Sequence, residues 1–153
     1  MKPINEMRLT LDSLSRNESY ARVAIASFVA QLDPTIEELA DIKTAVSEAV
    51  TNCIVHAYPG GTGRIYILAQ IYPDGRALVR VRDTGIGIPD VARAMQPLYT
   101  TGGDDRAGLG FAVMQSFMDK LRVKSASGRG CAVTMEKQIE RRPRGYDTEL
   151  PAK

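Results

Sequence analysis

The chain has 153 residues, a net charge of +2, 44% hydrophobic and 25% charged residues, which is typical of one globular domain with its own core. The small charge predicts no nucleic-acid-binding surface. Two distant cysteines, Cys53 and Cys131, cannot form a zinc site with the single His56 at a usual spacing. No signal peptide or long apolar run is present, which predicts a cytoplasmic protein without membrane contact.

Periodicity and turn residues predict the elements along the chain. Alternating apolar and polar residues are typical of half-buried strands, whereas apolar residues three and four apart are typical of helices. Two capping-box pairs, Ser15 with Glu18 and Thr35 with Glu38, predict helix starts. In chain order we predict a strand at 6–12, helices at 15–32 and 35–57, strands at 65–72 and 76–83, a short helix at 90–95, a mobile polar segment at 96–107, a helix from 108, and strands at 121–125 and 131–137.

This order of elements predicts an α+β fold. Antiparallel hairpins with the helices collected on one face make a two-layer α/β sandwich with a mostly antiparallel sheet. We assign the folded domain to residues 1–137. The polar residues 138–153 predict a disordered C-terminal tail.

The segment Asp83-Thr-Gly-Ile-Gly-Ile-Pro89 places a carboxylate after a strand and before a glycine-bearing loop. Because glycine has no Cβ, the loop can adopt positive φ and let a flat ligand approach its backbone. A fixed carboxylate beside that opening can accept a hydrogen bond from an amino group such as that of adenine. Considered alone, the motif is explained equally well by an ordinary turn between a strand and a helix.

Glu48 and Asn52 lie four residues apart in the second predicted helix, so their side chains share one helical face. An amide oxygen suits Mg²⁺, which prefers oxygen ligands, and the carboxylate can hold a metal-bound water or accept a proton. His56, one turn further on, can line the same face. Since the pair lies off the apolar stripe of the helix, a solvent-facing surface without chemistry is the alternative.

The third motif is Gly108-Leu-Gly110, at the start of the next predicted helix. Free backbone amides and the helix dipole favour an anion such as a phosphate there. Just upstream, Thr100, Thr101 and Arg106 offer hydroxyls and a positive charge to a terminal phosphate. A glycine hinge beside a solvated arginine is the alternative interpretation.

The three motifs in this order resemble the GHKL family of ATP-binding domains over residues 6–137. Several longer segments are similar to the bacterial anti-sigma factor serine kinases of the sporulation sigma-F type. These segments are Asn17-Glu-Ser-Tyr-Ala-Arg22, Ser47-Glu-Ala-Val-Thr-Asn52, Pro97-Leu-Tyr-Thr-Thr101 and Arg106-Ala-Gly-Leu-Gly-Phe111. The resemblance implies a homodimeric, ATP-dependent protein-serine kinase that sequesters a sigma factor. It also implies that the kinase phosphorylates a serine of an anti-anti-sigma (STAS-type) partner.

Residue roles follow from that resemblance. It implies that Glu48 is the general base, that Asn52 is the Mg²⁺ ligand and that Asp83 reads adenine. Residues 96–107 would form a lid over ATP. The nucleotide-binding set implied is Asn52, Asp83, Gly85, Gly87, Ile88, Thr100, Thr101, Arg106, Gly108, Leu109 and Gly110.

Two other functions remain open from the sequence. A non-catalytic, nucleotide-gated module that binds a sigma factor would leave Glu48 idle. A histidine kinase catalytic domain would need a helical dimerisation segment bearing the phosphorylated histidine, and we expect none before Glu6.

The first predicted helix is apolar on nearly all sides. Its main stripe should face the sheet, yet the opposite side carries Tyr20, Val23 and small residues without any charge. A helix of this kind is usually covered on more than one side. Small residues merely tolerated on an exposed side explain the pattern equally well. We expect a protein contact there, with Glu18 and Arg22 as its polar anchors, because the family resemblance implies both self-association and partner docking.

Overall fold

The computed structural model describes residues 1–95 and 106–140, and it confirms the predicted α+β class and the order of elements. Five strands form one antiparallel sheet in the order β1-β2-β3-β5-β4. The strands are β1 Asn5–Asp12, β2 Arg64–Ile71, β3 Arg76–Asp83, β4 Lys120–Ser125 and β5 Cys131–Gln138. The helices are α1 Arg16–Val29, α2 Ile36–Asn52, α3 Val91–Ala94 and α4 Arg106–Phe117. No helix in the described ranges is long and apolar enough to cross a membrane.

The core lies between one face of the sheet and the helices. Alternate residues of the strands point to this face, and Ile65 and Val79 are fully buried there. Ile25 of α1 and Ile42 of α2 meet them from the helical layer, also fully buried. Burying a side chain of this size stabilises the fold by about 1.5–3 kcal/mol. Because α2 packs against both α1 and α4, it is the central helix and holds the layer together.

The predicted start of α2 is confirmed, whereas the predicted capping box of α1 is wrong. The Thr35 hydroxyl accepts a hydrogen bond from the backbone N–H of Glu38 at 3.0 Å, and the Glu38 carboxylate accepts one from the N–H of Thr35 at 2.8 Å. Ser15 instead has helical φ and ψ and no side-chain cap. The Glu18 carboxylate accepts a hydrogen bond from the Ser47 hydroxyl of α2. A residue of another helix therefore binds the carboxylate that the capping box would have directed to the backbone N–H of Ser15.

Both long helices change winding in their last turn. The first continues from Val29 as a 3₁₀ turn, Ala30–Leu32, and ends at Asp33 with a φ of 53°. The second continues from Asn52 as a π-helical turn, Cys53–Ala57. The prediction of helical structure to residues 32 and 57 is therefore right in extent, although neither helix is α-helical throughout.

Two predicted boundaries differ from the structure. The helix α4 begins at Arg106, so the glycines of the G-x-G motif lie inside its first turns, and residues 106 and 107, predicted to belong to the polar segment without periodicity, are helical. The body also continues past residue 137, because β5 extends to Gln138 and Ile139 is 1% exposed. The remaining tail, 141–153, and the predicted lid at 96–105 lie outside the described residues.

Candidate functional site

A pocket of about 440 Å³ opens between α2, the loop that follows β3, and α4. This volume lies within the usual range for small-molecule sites. Its lining is mostly apolar, with a few polar groups converging on it. Four of the predicted nucleotide-binding residues line it: Asn52, Asp83, Gly87 and Ile88.

The predicted adenine-binding carboxylate is held rigidly. Asp83 is the last residue of β3, is 5% exposed, and its Oδ1 accepts a hydrogen bond from the Gly85 N–H at 3.0 Å. Beyond it, the N–H of Ile86 donates to the Ala57 carbonyl at 2.9 Å. The N–H of Ile88 donates to the hydroxyl of Ser125 at 2.7 Å. The loop is therefore fastened to the end of α2 on one side and to β4 on the other.

The two glycines of this loop are required by the protein's own backbone. A Cβ on Gly85 would lie 2.0 Å from the carbonyl oxygen of Ala57. Gly87 has a φ of 75°, and a Cβ there would lie 2.0 Å from the carbonyl oxygen of Ala126. These glycines thus let the loop pack closely against the π-helical turn at Ala57 and the β4–β5 connection at Ala126, and the loop begins at the carboxylate that lines the pocket.

The π-helical turn after Asn52 brings the end of α2 to the same loop. His56 and Ala57 line the pocket from this turn. Tyr58 follows at once, and its hydroxyl accepts a hydrogen bond from the Thr84 N–H at 2.9 Å and donates one to the Arg64 carbonyl at 2.6 Å. Helix irregularities of this type are frequent at functional sites.

The structure brings the second and third motifs together. A Cβ on Gly110 of α4 would lie 3.2 Å from Oε2 of Glu48 and 3.4 Å from both amide atoms of Asn52. A Cβ at this position would make a tight contact with both side chains, so glycine favours this close approach of α4 to the two polar groups. The Nδ2 atom of Asn52 is buried and has no hydrogen-bond partner among the described residues. A buried amide of this kind usually has a partner, so its orientation fits a bound ligand.

Among the pocket residues that sequence reasoning missed as site residues are the two cysteines. Cys53 and Cys131 both line the pocket, and Cys131 is paired with Asp83 in the β3–β5 ladder. Burial, followed by the nearby Asp83 charge, raises the pKa of Cys131 to about 11 and holds the pKa of Cys53 well above its usual range. Both thiols are therefore neutral near pH 7. The ladder would have revealed Cys131, but the pairing of β3 with β5 cannot be read from periodicity.

The other predicted residues are placed less fully. Thr100 and Thr101 lie outside the described residues. Arg106, Gly108 and Leu109 lie in the first turns of α4. Within the described ranges, no group of three or more His, Cys, Asp or Glu side chains is arranged to hold a metal ion.

The predicted partner surface on α1 is exposed and has a polar border. Tyr20 and Val23 are 55% and 56% exposed. The Nε atom of Arg22 lies 3.6 Å from Oε1 of Glu18, and the Glu18 carboxylate also accepts a hydrogen bond from the Ser47 hydroxyl. Because Ser47 directly precedes Glu48, this border is connected to the helix that carries the predicted base.

Similarity to known proteins identifies the family. A model described as the histidine kinase-like ATPase domain matches residues 12–137. An anti-sigma F factor from Caldanaerobacter subterraneus subsp. tengcongensis is 58% identical over 138 residues, which cover 90% of this chain and 96% of that protein. The chain belongs to the anti-sigma F factor family. A further member, from Priestia megaterium, is 49% identical over 137 residues, covering 88% of this chain and 93% of that one.

Solved structures agree with this family at the level of the fold. A Mycobacterium tuberculosis protein with RsbU and RsbW domains aligns at a TM-score of 0.65 and 20% identity, over 90% of this chain and 32% of that one. A histidine kinase domain from Erythrobacter litoralis aligns at a TM-score of 0.53 and 22% identity, over 80% and 60% of the two chains. The histidine kinase-like ATPase domain implies nucleotide binding.

Proposed function

We propose that the chain is an ATP-dependent protein-serine kinase that sequesters a sigma factor and phosphorylates a serine of an anti-anti-sigma (STAS-type) partner. The observation that carries this proposal is the meeting of Glu48, Asn52 and Gly110 beside a pocket that holds the buried Asp83. Relatives at 49–58% identity over most of the chain are named anti-sigma F factors, which supports a sigma factor as the sequestered partner.

In this proposal, each polar group of the pocket has one task. Asp83 accepts a hydrogen bond from the adenine amine, and its rigid loop favours adenine over other bases. Asn52 holds Mg²⁺, which neutralises charge on the phosphates and, in nucleotide sites, needs only one or two protein ligands. The unpaired Nδ2 of Asn52 is a hydrogen-bond donor, so it suits an acceptor such as a phosphate oxygen, whereas Mg²⁺ would be held by Oδ1.

Glu48 is the proposed general base. Its carboxylate accepts the proton of the partner's serine hydroxyl while that oxygen forms a bond to the γ-phosphorus of ATP, and ADP leaves with the electrons of the broken P–O bond. The products are ADP and an O-phosphoserine. Positioning by α2 and α4 supplies the geometry, because Gly110 lets the two helices close around the carboxylate.

The exposed side of α1 is the proposed docking surface. Tyr20 and Val23 supply apolar area, and Glu18 with Arg22 forms its polar border. Arginine beside exposed apolar residues is a frequent centre of binding energy. We further propose that the protein acts in the cytoplasm as a homodimer.

Incubation with labelled ATP and a candidate anti-anti-sigma protein, followed by acid treatment, tests the activity. We expect acid-stable label on a serine of the partner. Acid-labile label would indicate a phosphohistidine and a histidine kinase. A complete lack of label, with ATP still bound, would indicate a nucleotide-gated binding module in which Glu48 is idle.

A further inference from the structure

The face of the sheet that points away from the helices is strongly basic. The register aligns its side chains in rows across the strands, one of which runs Arg8, Leu68, Arg80, Thr134 and Arg122. The face carries eight basic side chains, namely Arg8, Arg64, Arg76, Arg80, Arg82, Lys120, Arg122 and Lys124, against the acidic Glu6, Asp12 and Glu136. Its net charge of +5 exceeds the +2 of the whole chain, so positive charge is concentrated on this open sheet face.

Much of this charge is not neutralised by the described residues. Arg8 pairs with Glu6 at 3.1 Å, and Arg76 pairs with Glu136 at 2.6 Å. No ion pair to another described residue is formed by Arg80, Arg122 or Lys124. Arg80 lies within electrostatic range of Glu6, whereas Arg122 and Lys124 have no acidic side chain at ion-pair distance among the described residues.

Protection of a sheet edge explains only part of the pattern. Charged residues on an edge strand prevent edge-to-edge association, and this accounts for Lys120, Arg122 and Lys124 on β4. It does not account for Arg80 and Arg82, which lie on the central strand β3.

The central arginines surround a shallow hollow of about 100 Å³ between β1, β2 and β3. Arg8, Thr10, Arg80 and Arg82 supply its donors, and Arg82 lies over the ring of Tyr66 at 4.3 Å from its centroid. Stacking on a ring leaves the N–H groups of a guanidinium available, and one guanidinium can bind one carboxylate with two parallel hydrogen bonds.

We propose that the open sheet face docks an acidic segment of a partner protein, with carboxylates in the hollow and against Arg122. Arg8, Arg80 and Arg122 lie on every second strand of the sheet, so strand spacing places Arg80 about 10 Å from each of the other two, and several acidic residues of one segment can be bound together. Leu68 lies between them and offers apolar contact to such a segment. This surface is separate from the nucleotide pocket and from the exposed side of α1.

Other occupants fit less well. Single-stranded nucleic acid needs rings on which bases can stack, and the ring in the hollow, Tyr66, is already covered by Arg82. A second copy of the chain would place two strongly positive faces against each other.

Fluorescence anisotropy at about 150 mM salt tests the proposal with a labelled 12-residue glutamate peptide, a glutamine peptide of the same length and a 12-residue oligothymidylate. We expect the glutamate peptide to bind most tightly. The double variant Arg80→Glu, Arg122→Glu should weaken this binding at least about ten-fold. The matched control Arg16→Glu, Lys43→Glu changes the net charge equally on the helical layer and should weaken it less than about two-fold.

Three results would overturn the proposal. Tighter binding of the oligonucleotide than of the glutamate peptide would assign the face to nucleic acid. An equal loss of peptide affinity in both double variants would show that binding depends only on the net charge of the protein. The third result combines two observations: the parent protein does not bind the peptide, and light scattering shows that Arg80→Glu, Arg122→Glu converts a dimer to a monomer. This result would assign the face to a second copy of the chain. If the charge reversal prevents folding, Arg80→Gln, Arg122→Gln removes the charges with less strain and must show the same selective loss.

Discussion

The two sides of the proposed nucleotide pocket are built in different ways. The side that carries Asp83 is fastened by backbone contacts to Ala57 and by the hydroxyl of Ser125. The side formed by α2 and α4 instead presents Glu48 and Asn52, and the buried amide of Asn52 lacks a partner among the described residues. Pre-organisation reduces the entropy lost on binding. The contrast therefore indicates one side that recognises a ligand by its fixed shape and a second side whose polar groups are completed by the ligand.

Removing the proposed base, Glu48, should produce the largest loss of activity and should alter only the side of the pocket formed by α2 and α4. Glu48→Gln preserves the shape of the side chain but cannot accept the hydroxyl proton, so we expect phosphotransfer to fall about 10²–10⁴-fold. ATP affinity should be unchanged. Measure single-turnover transfer and nucleotide titration together, with Glu37→Gln at an exposed position of α2 as the control. Transfer at the parent rate would mean that another group is the base.

The sequence predicts the features that depend on neighbouring residues and misses those that depend on packing. Thr35 and Glu38 close their capping box because both partners lie within one turn. The equivalent pair at Ser15 fails because Ser47, from another helix, supplies a partner for Glu18. Element order and the placement of Asp83 at a strand end were predictable for the same local reason.

The arrangement of the pocket shows the same limit. Spacing alone places Glu48 and Asn52 on one helical face, but it does not show that Gly110 of α4 comes to lie against them. The π-helical turn after Asn52 also has no periodic signature that distinguishes it from a continued α-helix. Cys131 becomes a pocket residue only because β5, and not β4, pairs with β3.

A substitution on the rigid side should reduce affinity rather than transfer. Asp83→Asn keeps an acceptor oxygen but loses the charge, and a buried charge-assisted hydrogen bond contributes about 1.5–3 kcal/mol. We expect ATP affinity to fall about 10- to 150-fold, with Asp12→Asn at the exposed end of β1 as the control. Titration with ATP and GTP measures both the loss and the selectivity. Equal affinity of the parent protein for ATP and GTP would show that Asp83 does not read the base.

A change on α1 should leave both sides of the pocket intact. Arg22→Ala removes the polar border of the exposed helix surface, and we expect affinity for the sigma factor or the anti-anti-sigma partner to fall by about 2 kcal/mol. Arg16→Ala, in the first turn of the same helix, is the control. Partner titration, ATP titration and thermal melting separate the possibilities. A lowered melting temperature would make Arg22 structural, and unchanged affinity for both partners would place the interface elsewhere.

The smallest expected effect is a change in the ionisation of Cys131 when the charge of Asp83 is removed. Burial is the larger cause of the raised pKa of Cys131, about 11, and the Asp83 charge is the second. Since only the thiolate reacts with iodoacetamide, the alkylation rate of Cys131 should keep rising toward pH 11 in the parent protein. Asp83→Asn should lower the apparent pKa without returning it to the ordinary 9.0, because the burial remains.

The same shift predicts how stability depends on pH. Between about pH 9 and pH 11 the folded protein keeps a proton on Cys131 that the unfolded chain has lost, so its free energy of unfolding should decrease as the pH rises through that window. Peptide mapping of alkylation at several pH values gives the pKa, and thermal melting over the same range gives the stability. An identical pKa in the parent and in Asp83→Asn would mean that the carboxylate charge does not reach the thiol. The rigid side of the pocket would then be held by hydrogen bonds and packing, with no electrostatic contribution from Asp83 to its neighbour on β5.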